Sequence, residues 1–149
     1  MKYDELMVDL GKRFELKDFR PDEDGYCEIY ADDFTVTFQH VPETDMVLTT
    51  CLVCELGPEP SAKFYRRLLE ANFMYKETHG ATLSIDPEAE TVMLSRYDRL
   101  GQIDGESFYR TVEMFMVVML TWKDWFKYDA KNVDKPQIES MDDTGVIRG

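Results

Sequence analysis

Apolar side chains recur along this chain with two alternating periods, and each period assigns an element. Tyr3, Leu6, Met7, Leu10 and Phe14 fall at three- and four-residue intervals among Asp4, Glu5, Asp9, Lys12 and Arg13, which predicts an amphipathic first helix. Arg20-Pro-Asp-Glu-Asp-Gly25 ends it in a turn, and a short strand follows at Tyr26 to Ala31. After Asp32-Asp33 the period becomes two: Phe34, Val36 and Phe38 share one face, Thr35, Thr37 and Gln39 the other. Pro42-Glu-Thr-Asp45 turns the chain into a third strand, Met46 to Leu56, which is apolar on both faces. Met46, Leu48, Leu52, Cys54 and Leu56 alternate there with Val47, Cys51 and Val53. A strand of that kind is central in its sheet or covered on each side, helices on one side and a partner on the other being one such arrangement.

Gly57-Pro-Glu-Pro60 stops this strand, and Ser61 is placed to cap a second helix carrying Phe64, Tyr65, Leu68, Leu69 and Phe73. Ala81 to Asp86 and Glu90 to Tyr97, joined through Pro87-Glu-Ala, read as a hairpin with Val92 and Leu94 inward. Asp104 caps a third helix whose stripe is Phe108, Val112, Phe115, Met119, Trp122 and Phe126. The order α-β-β-β-α-β-β-α predicts an α+β fold, a twisted antiparallel sheet with three helices gathered on one face, as one domain over residues 1–126. Residues 127–149 turn polar and read as a poorly ordered tail.

Composition narrows what such a domain does. Against 17 Lys and Arg stand 30 Asp and Glu, a net charge of −13, so phosphate backbones and anionic membrane surfaces are repelled and no nucleic-acid partner is expected. The longest apolar run, Met114 to Leu120, is too short to span a bilayer, and the charged start MKYDELMVDL does not resemble a signal peptide; a cytoplasmic protein without membrane insertion is expected. Cys27, Cys51 and Cys54 are odd in number and read as thiols. Cys51-Leu-Val-Cys54 is formally a CxxC, but inside a strand its two side chains point to opposite faces, against a shared metal or disulfide.

No phosphate loop, zinc-protease motif, nucleophile elbow or complete calcium loop can be written onto the sequence. Asp22-Glu23-Asp24 and Asp32-Asp33 lie in turns, where solvated carboxylates are the ordinary case, and His40 and His79 have no nucleophile beside them. No catalytic residue, metal or cofactor is therefore assigned. What remains is surface: nine Met and thirteen percent aromatic residues form more apolar faces than a small sheet and three helices need, and flexible Met side chains adapt to several apolar ligands.

Phe64-Tyr-Arg-Arg-Leu-Leu-Glu-Ala-Asn-Phe73, followed by Gly80-Ala-Thr-Leu-Ser-Ile-Asp86 in this order of elements, resembles the class I type III secretion chaperones, the Tir-chaperone (CesT-like) family, over about residues 1–126. The matching features are Leu68-Leu69-Glu70-Ala71-Asn72-Phe73, the Gly-led strand after Gly80 and the long helix from Phe108 to Phe126. The resemblance implies an acidic homodimer that uses no nucleotide. It would hold the N-terminal segment of a secreted effector extended and pass it to the secretion apparatus, with the secretion ATPase as a further partner. Leu6, Leu10 and Phe14 of the first helix, with Ile29, Val36 and Phe38 of the strands, are the candidates for the effector groove. Leu69, Phe73 and Val92 are the candidates for the dimer contact. Two other readings fit the same residues: a YbjN-like regulatory or adaptor protein that binds a folded surface, and a small ligand-binding α+β protein with Tyr30, His40 or Asp33 in its pocket.

Overall fold

A computed structural model describes residues 1–129 and two short paired strands, β6 (Ile138–Glu139) and β7 (Ile147–Arg148). The principal elements are α1 (Tyr3–Arg13), β1 (Tyr26–Ala31), β2 (Phe34–Val41), β3 (Met46–Glu55), α2 (Ala62–Ala71), β4 (Thr82–Asp86), β5 (Thr91–Arg99) and α3 (Gly105–Asp129). This is the expected α+β order, with each boundary within a few residues of the sequence pattern. Helix α3 runs three residues beyond the expected end at Phe126, and most of the polar tail expected over 127–149 lies outside the described residues. The five long strands form one antiparallel sheet in the order β1-β2-β3-β5-β4. Contacts divide the chain into two compact units, Met1–Leu52 with Ser95–Met114, and Val53–Leu94 with Phe115–Gly149.

In the first unit, strand parity decides which side chains are interior. Cys27 and Ile29 of β1, Val36 and Phe38 of β2, and Val47, Thr49 and Cys51 of β3 are all buried. Their neighbours of opposite parity, from Tyr26, Glu28 and Tyr30 across to Leu48, Thr50 and Leu52, are half-buried or exposed. The register pairs Glu28 with Thr37 and Thr37 with Thr50, so these residues share one open face. Phe38 packs edge-on against Phe19 and Phe108, with ring centroids 6.2 and 6.1 Å away. Helix α1 buries Tyr3, Leu6, Met7 and Leu10. A glycine is required at position 11, because a Cβ there would stand 2.5 Å from Cβ of Phe19.

The second unit is built on aromatic packing and one buried ion pair. Phe64 meets Phe126, and Trp122, Trp125 and Phe126 pack on one another with centroids 4.8 to 5.8 Å apart. Caps fix both helix starts as the sequence predicts. Ser61 Oγ accepts the Phe64 N–H at 3.2 Å, and the Asp104 carboxylate accepts the Ser107 N–H at 2.8 Å while Ser107 Oγ accepts the Asp104 N–H at 3.0 Å. The backbone bond from Ser107, first among these causes, holds the Asp104 carboxyl below its usual range.

The edge strand β4 carries its own stop. Strand β4 ends the sheet, so half of its backbone groups have no neighbouring strand. Asn72, at the C-terminus of α2, supplies one: its side-chain N–H donates to the Leu83 carbonyl at 2.9 Å and its side-chain oxygen accepts the Leu83 N–H at 2.8 Å. Asn72→Ala is expected to cost about 1–3 kcal/mol through two orphaned backbone groups, and to raise aggregation by exposing the edge. Urea midpoints and light scattering of the two proteins check this; equal midpoints would remove the role assigned to Asn72.

Candidate functional site

The residues that sequence reasoning placed in an effector groove are mostly interior. Leu6, Val36 and Phe38 are wholly buried, Leu10 is 1% exposed and Ile29 8%. This corrects the expectation: the alternation that singled out Ile29, Val36 and Phe38 marks the face turned to the core, and α1 turns Leu6 and Leu10 inward by the same rule. Phe14 alone of the six is partly accessible, with its ring 4.8 Å from that of Tyr109. Of the three dimer candidates, Leu69 and Phe73 are exposed, at 73% and 71%, whereas Val92 is wholly buried and cannot touch another molecule.

Two accessible surfaces take the place of that groove. One belongs to the first unit: the open sheet face with Tyr26, Glu28, Tyr30 and Leu52, of which Tyr30 is the most exposed at 76%. The Tyr26 hydroxyl donates to the Glu28 carboxylate at 2.7 Å, and that bond, more than burial, raises the Tyr26 pKa to about 12. The other belongs to the second unit. Leu69 on α2 and Phe73, Met74 and Tyr75 in the turn that follows are all more than half exposed, beside a surface depression lined by Arg66, Leu69, Glu70 and Phe73. Such a run of exposed apolar side chains marks an interaction surface.

The turn displaying Phe73 to Tyr75 is held in a costly shape. Met74, Tyr75 and His79 adopt left-handed backbone angles, with φ of 57°, 55° and 49°. Each costs of order 1–3 kcal/mol and persists only where surrounding structure demands it. Met74 and Tyr75 lie in the segment closed by Arg67, whose side chain is 2% exposed and grips Glu77 with two bonds from its guanidinium, Nη1 to Oε2 at 3.0 Å and Nη2 to Oε1 at 2.8 Å. It also lies 5.0 Å from the Trp122 ring centroid and 5.9 Å from that of Trp125. Sequence reading took Phe73 for the end of the second helix and, with Leu69, for a dimer contact, and gave no sign of the turn or of the Arg67–Glu77 pair.

The residues considered for chemistry are placed without a reacting set. His40 stacks flat on Tyr3, rings 4.8 Å apart and 7° from parallel, with Nε2 3.8 Å from the Asp45 carboxylate. Cys27 and Cys51 are buried and Cys54 half-buried; all three are thiols, Cys51 and Cys54 on opposite faces of β3. Burial pushes the thiols of Cys27 and Cys54 up to about 11, which makes both poor nucleophiles. Among the described residues no three His, Cys, Asp or Glu side chains are grouped to hold a metal ion, and no helix is long and apolar enough to cross a membrane.

The model of the Tir chaperone protein (CesT) family matches residues 5–123. A Chlamydia pneumoniae protein, CPj0713/CpB0740, is 30% identical over 102 residues, 68% of this chain and 77% of the relative. The fold is similar to a chain of the ExsC–ExsE complex, with a TM-score of 0.68, 20% identity, and coverage of 81% of this chain and 90% of that one. It is also similar to a chain of the HopA1–SchA chaperone–effector complex, with a TM-score of 0.67, 16% identity, and coverage of 82% and 93%. A third likeness, to the Yersinia pestis type III secretion chaperone SycH in complex with a fragment of YscM2, has a TM-score of 0.64, 13% identity, and coverage of 81% and 99%.

Proposed function

Since the chain belongs to the Tir chaperone protein (CesT) family, it is a type III secretion chaperone that binds an effector, and we propose that it does so without turnover, through one surface, and pairs with a second copy of itself through another. The observation that carries the reading is the family match over residues 5–123 together with apolar surface left uncovered in a chain of net charge −13. On this reading the open face and outer edge of β1, with Phe14, receive the extended N-terminal segment of the effector. A strand added to a sheet edge gains backbone hydrogen bonds, and its alternate side chains gain contact with the face beneath. The complex is cytoplasmic and passes its client to the secretion apparatus, where the secretion ATPase receives it. The excess of carboxylates keeps the loaded chaperone soluble.

The second surface is the contact between two copies. Leu69 and Phe73 project from α2 and its following turn, and a two-fold axis through such a patch brings each apolar run against its own copy. Leu69→Glu with Phe73→Glu is expected to give a folded monomer, since both side chains are exposed and surface changes of this kind alter monomer stability by about 0.5 kcal/mol or less. Light scattering on a sizing column should show the wild type at twice the monomer mass and the double variant at one. A wild-type monomer overturns the dimer.

The reading as a whole is tested by pull-down from the native cytosol, with mass spectrometry and limited proteolysis of whatever is retained. A secreted protein protected over one N-terminal segment supports it. Retention of only a folded partner would favour the adaptor reading instead.

A further inference from the structure

The two edges of the sheet are finished differently. Strand β4 has the Asn72 side chain seated on Leu83, whereas among the described residues β1 is stopped only at its beginning. His40 donates its N–H to the Gly25 carbonyl at 3.0 Å, and antiparallel pairing alternates from there. Cys27, Ile29 and Ala31 therefore exchange bonds with β2, while Tyr26, Glu28 and Tyr30 turn their N–H and C=O groups to the outer edge. The first of those three is occupied: Asp22 N–H donates to the Tyr26 carbonyl at 2.8 Å, and the Asp22 carboxylate accepts the Tyr26 N–H at 2.9 Å. The edge thus opens at Glu28 and Tyr30, and these are also the residues whose side chains stand on the uncovered face.

The charge at this opening has one sign. Strand β1 contains no Lys or Arg; Glu28 sits at its middle, and Asp22-Glu23-Asp24 and Asp32-Asp33 bound it. The Tyr26 hydroxyl fixes the Glu28 carboxylate beside the edge. A residue added opposite Glu28 projects from the same face with its Cβ about 5 Å away, and its neighbour two residues along reaches Tyr30, while the place opposite Tyr26 is held by Asp22. Opposite charges directly across a strand pair attract and like charges repel.

From this geometry, and resting on the chaperone reading above, we propose that Glu28 is a specificity residue: the client segment that pairs with the β1 edge carries a Lys or Arg opposite Glu28, with an apolar side chain two residues away, opposite Tyr30. An acidic residue in that place is rejected by Glu28 and by the two acidic turns. The rule fixes the chemistry of the client strand where the fold alone fixes only that a strand is bound.

The test uses the full chain, its Glu28→Lys variant, and a random-peptide display library as the probe. Glu28 is exposed, so both proteins should share one urea midpoint, which is measured first. Wild type should enrich peptides with one basic residue and an apolar one two positions from it, and E28K should enrich Asp or Glu in place of the basic residue. Changing the basic residue of a selected synthetic peptide to Glu should weaken wild-type binding on the order of ten-fold and restore binding to E28K. A scan of backbone N-methylation through that peptide should abolish binding at one or two positions, as edge pairing requires. An unchanged consensus in E28K, or tolerance of N-methylation everywhere, overturns the proposal. If wild type still captures a secreted effector from the cytosol in that case, the charge rule falls and the chaperone reading stands; if it captures none, the chaperone reading falls as well.

Discussion

Arg67→Ala is expected to destabilise the protein by about 3 kcal/mol, the lower end of the roughly 3–5 kcal/mol for breaking a buried ion pair. The guanidinium is 2% exposed and its partner Glu77 is 23% exposed, so truncating Arg67 leaves a carboxylate that can regain part of its hydration. That partial rehydration sets the estimate at the low end. The loss is not purely electrostatic, because the same guanidinium faces Trp122 and Trp125, and the Trp122 indole N–H donates to the Glu77 carbonyl at 3.4 Å. Arg67→Met, which keeps the stem over the rings, should cost less, and Arg67→Met with Glu77→Leu should recover most of the stability, since well-packed apolar pairs often replace buried ions at no net cost. Urea denaturation followed by tryptophan fluorescence measures all three variants. An Arg67→Ala cost below about 1 kcal/mol would show that the pair does not hold the fold.

The same variant should loosen the turn before it unfolds the chain. Met74, Tyr75 and His79 hold left-handed angles that the local sequence does not favour, and the Arg67–Glu77 pair closes the segment that contains Met74 and Tyr75. Amide exchange in 73–80 should therefore quicken more than in β4 or α3. If Leu69 and Phe73 form the contact between copies, the dimer weakens with it.

How much of this was legible in the sequence depended on whether a signal was local. Helix starts at Ser61 and Asp104 were legible because a cap bonds its own next turn, and β2 because alternation needs only eight residues to declare itself. Strand β3 was legible in part: apolar residues on both faces were taken to mean a strand central in its sheet or covered on each side, and β3 is the middle strand of five, with Cys51 on a buried face and Leu52 45% exposed on the other. The contacts of Arg67 with Glu77, and of Asn72 with Leu83, were not legible, because each joins residues ten or more positions apart and depends on where the turn between them goes. The candidate groove failed for a simpler reason. A hydrophobic pattern identifies the face a strand buries in its own fold, and in β1 and β2 that face is spent on the core; the side chains left exposed have the opposite parity, Glu28 and Tyr30 instead of Ile29. The resemblance to a chaperone family could be read from packing residues without locating its binding surface, since fold and site are separate properties of a sequence.

Phe38→Ala, set beside Tyr30→Ala, separates those two parities in a single experiment. Phe38 is wholly buried, with Phe19 and Phe108 against its edges, so truncation loses its burial and leaves a cavity; a cost of about 3–5 kcal/mol is expected. In a domain whose total stability is of order 5–15 kcal/mol, that is a large share, and the urea midpoint should fall accordingly. Effector capture by this variant should decline only as its folded fraction declines, and should return when the measurement is made at lower temperature or with a stabilising osmolyte. Tyr30 is 76% exposed, so its truncation should change stability by about 0.5 kcal/mol or less while weakening capture under every condition. The two variants thus predict opposite pairings of stability and binding. A Phe38→Ala protein with an unchanged midpoint and no capture would place the client against the inner face after all, because only a side chain that contacts the client, and not the core, could give that result.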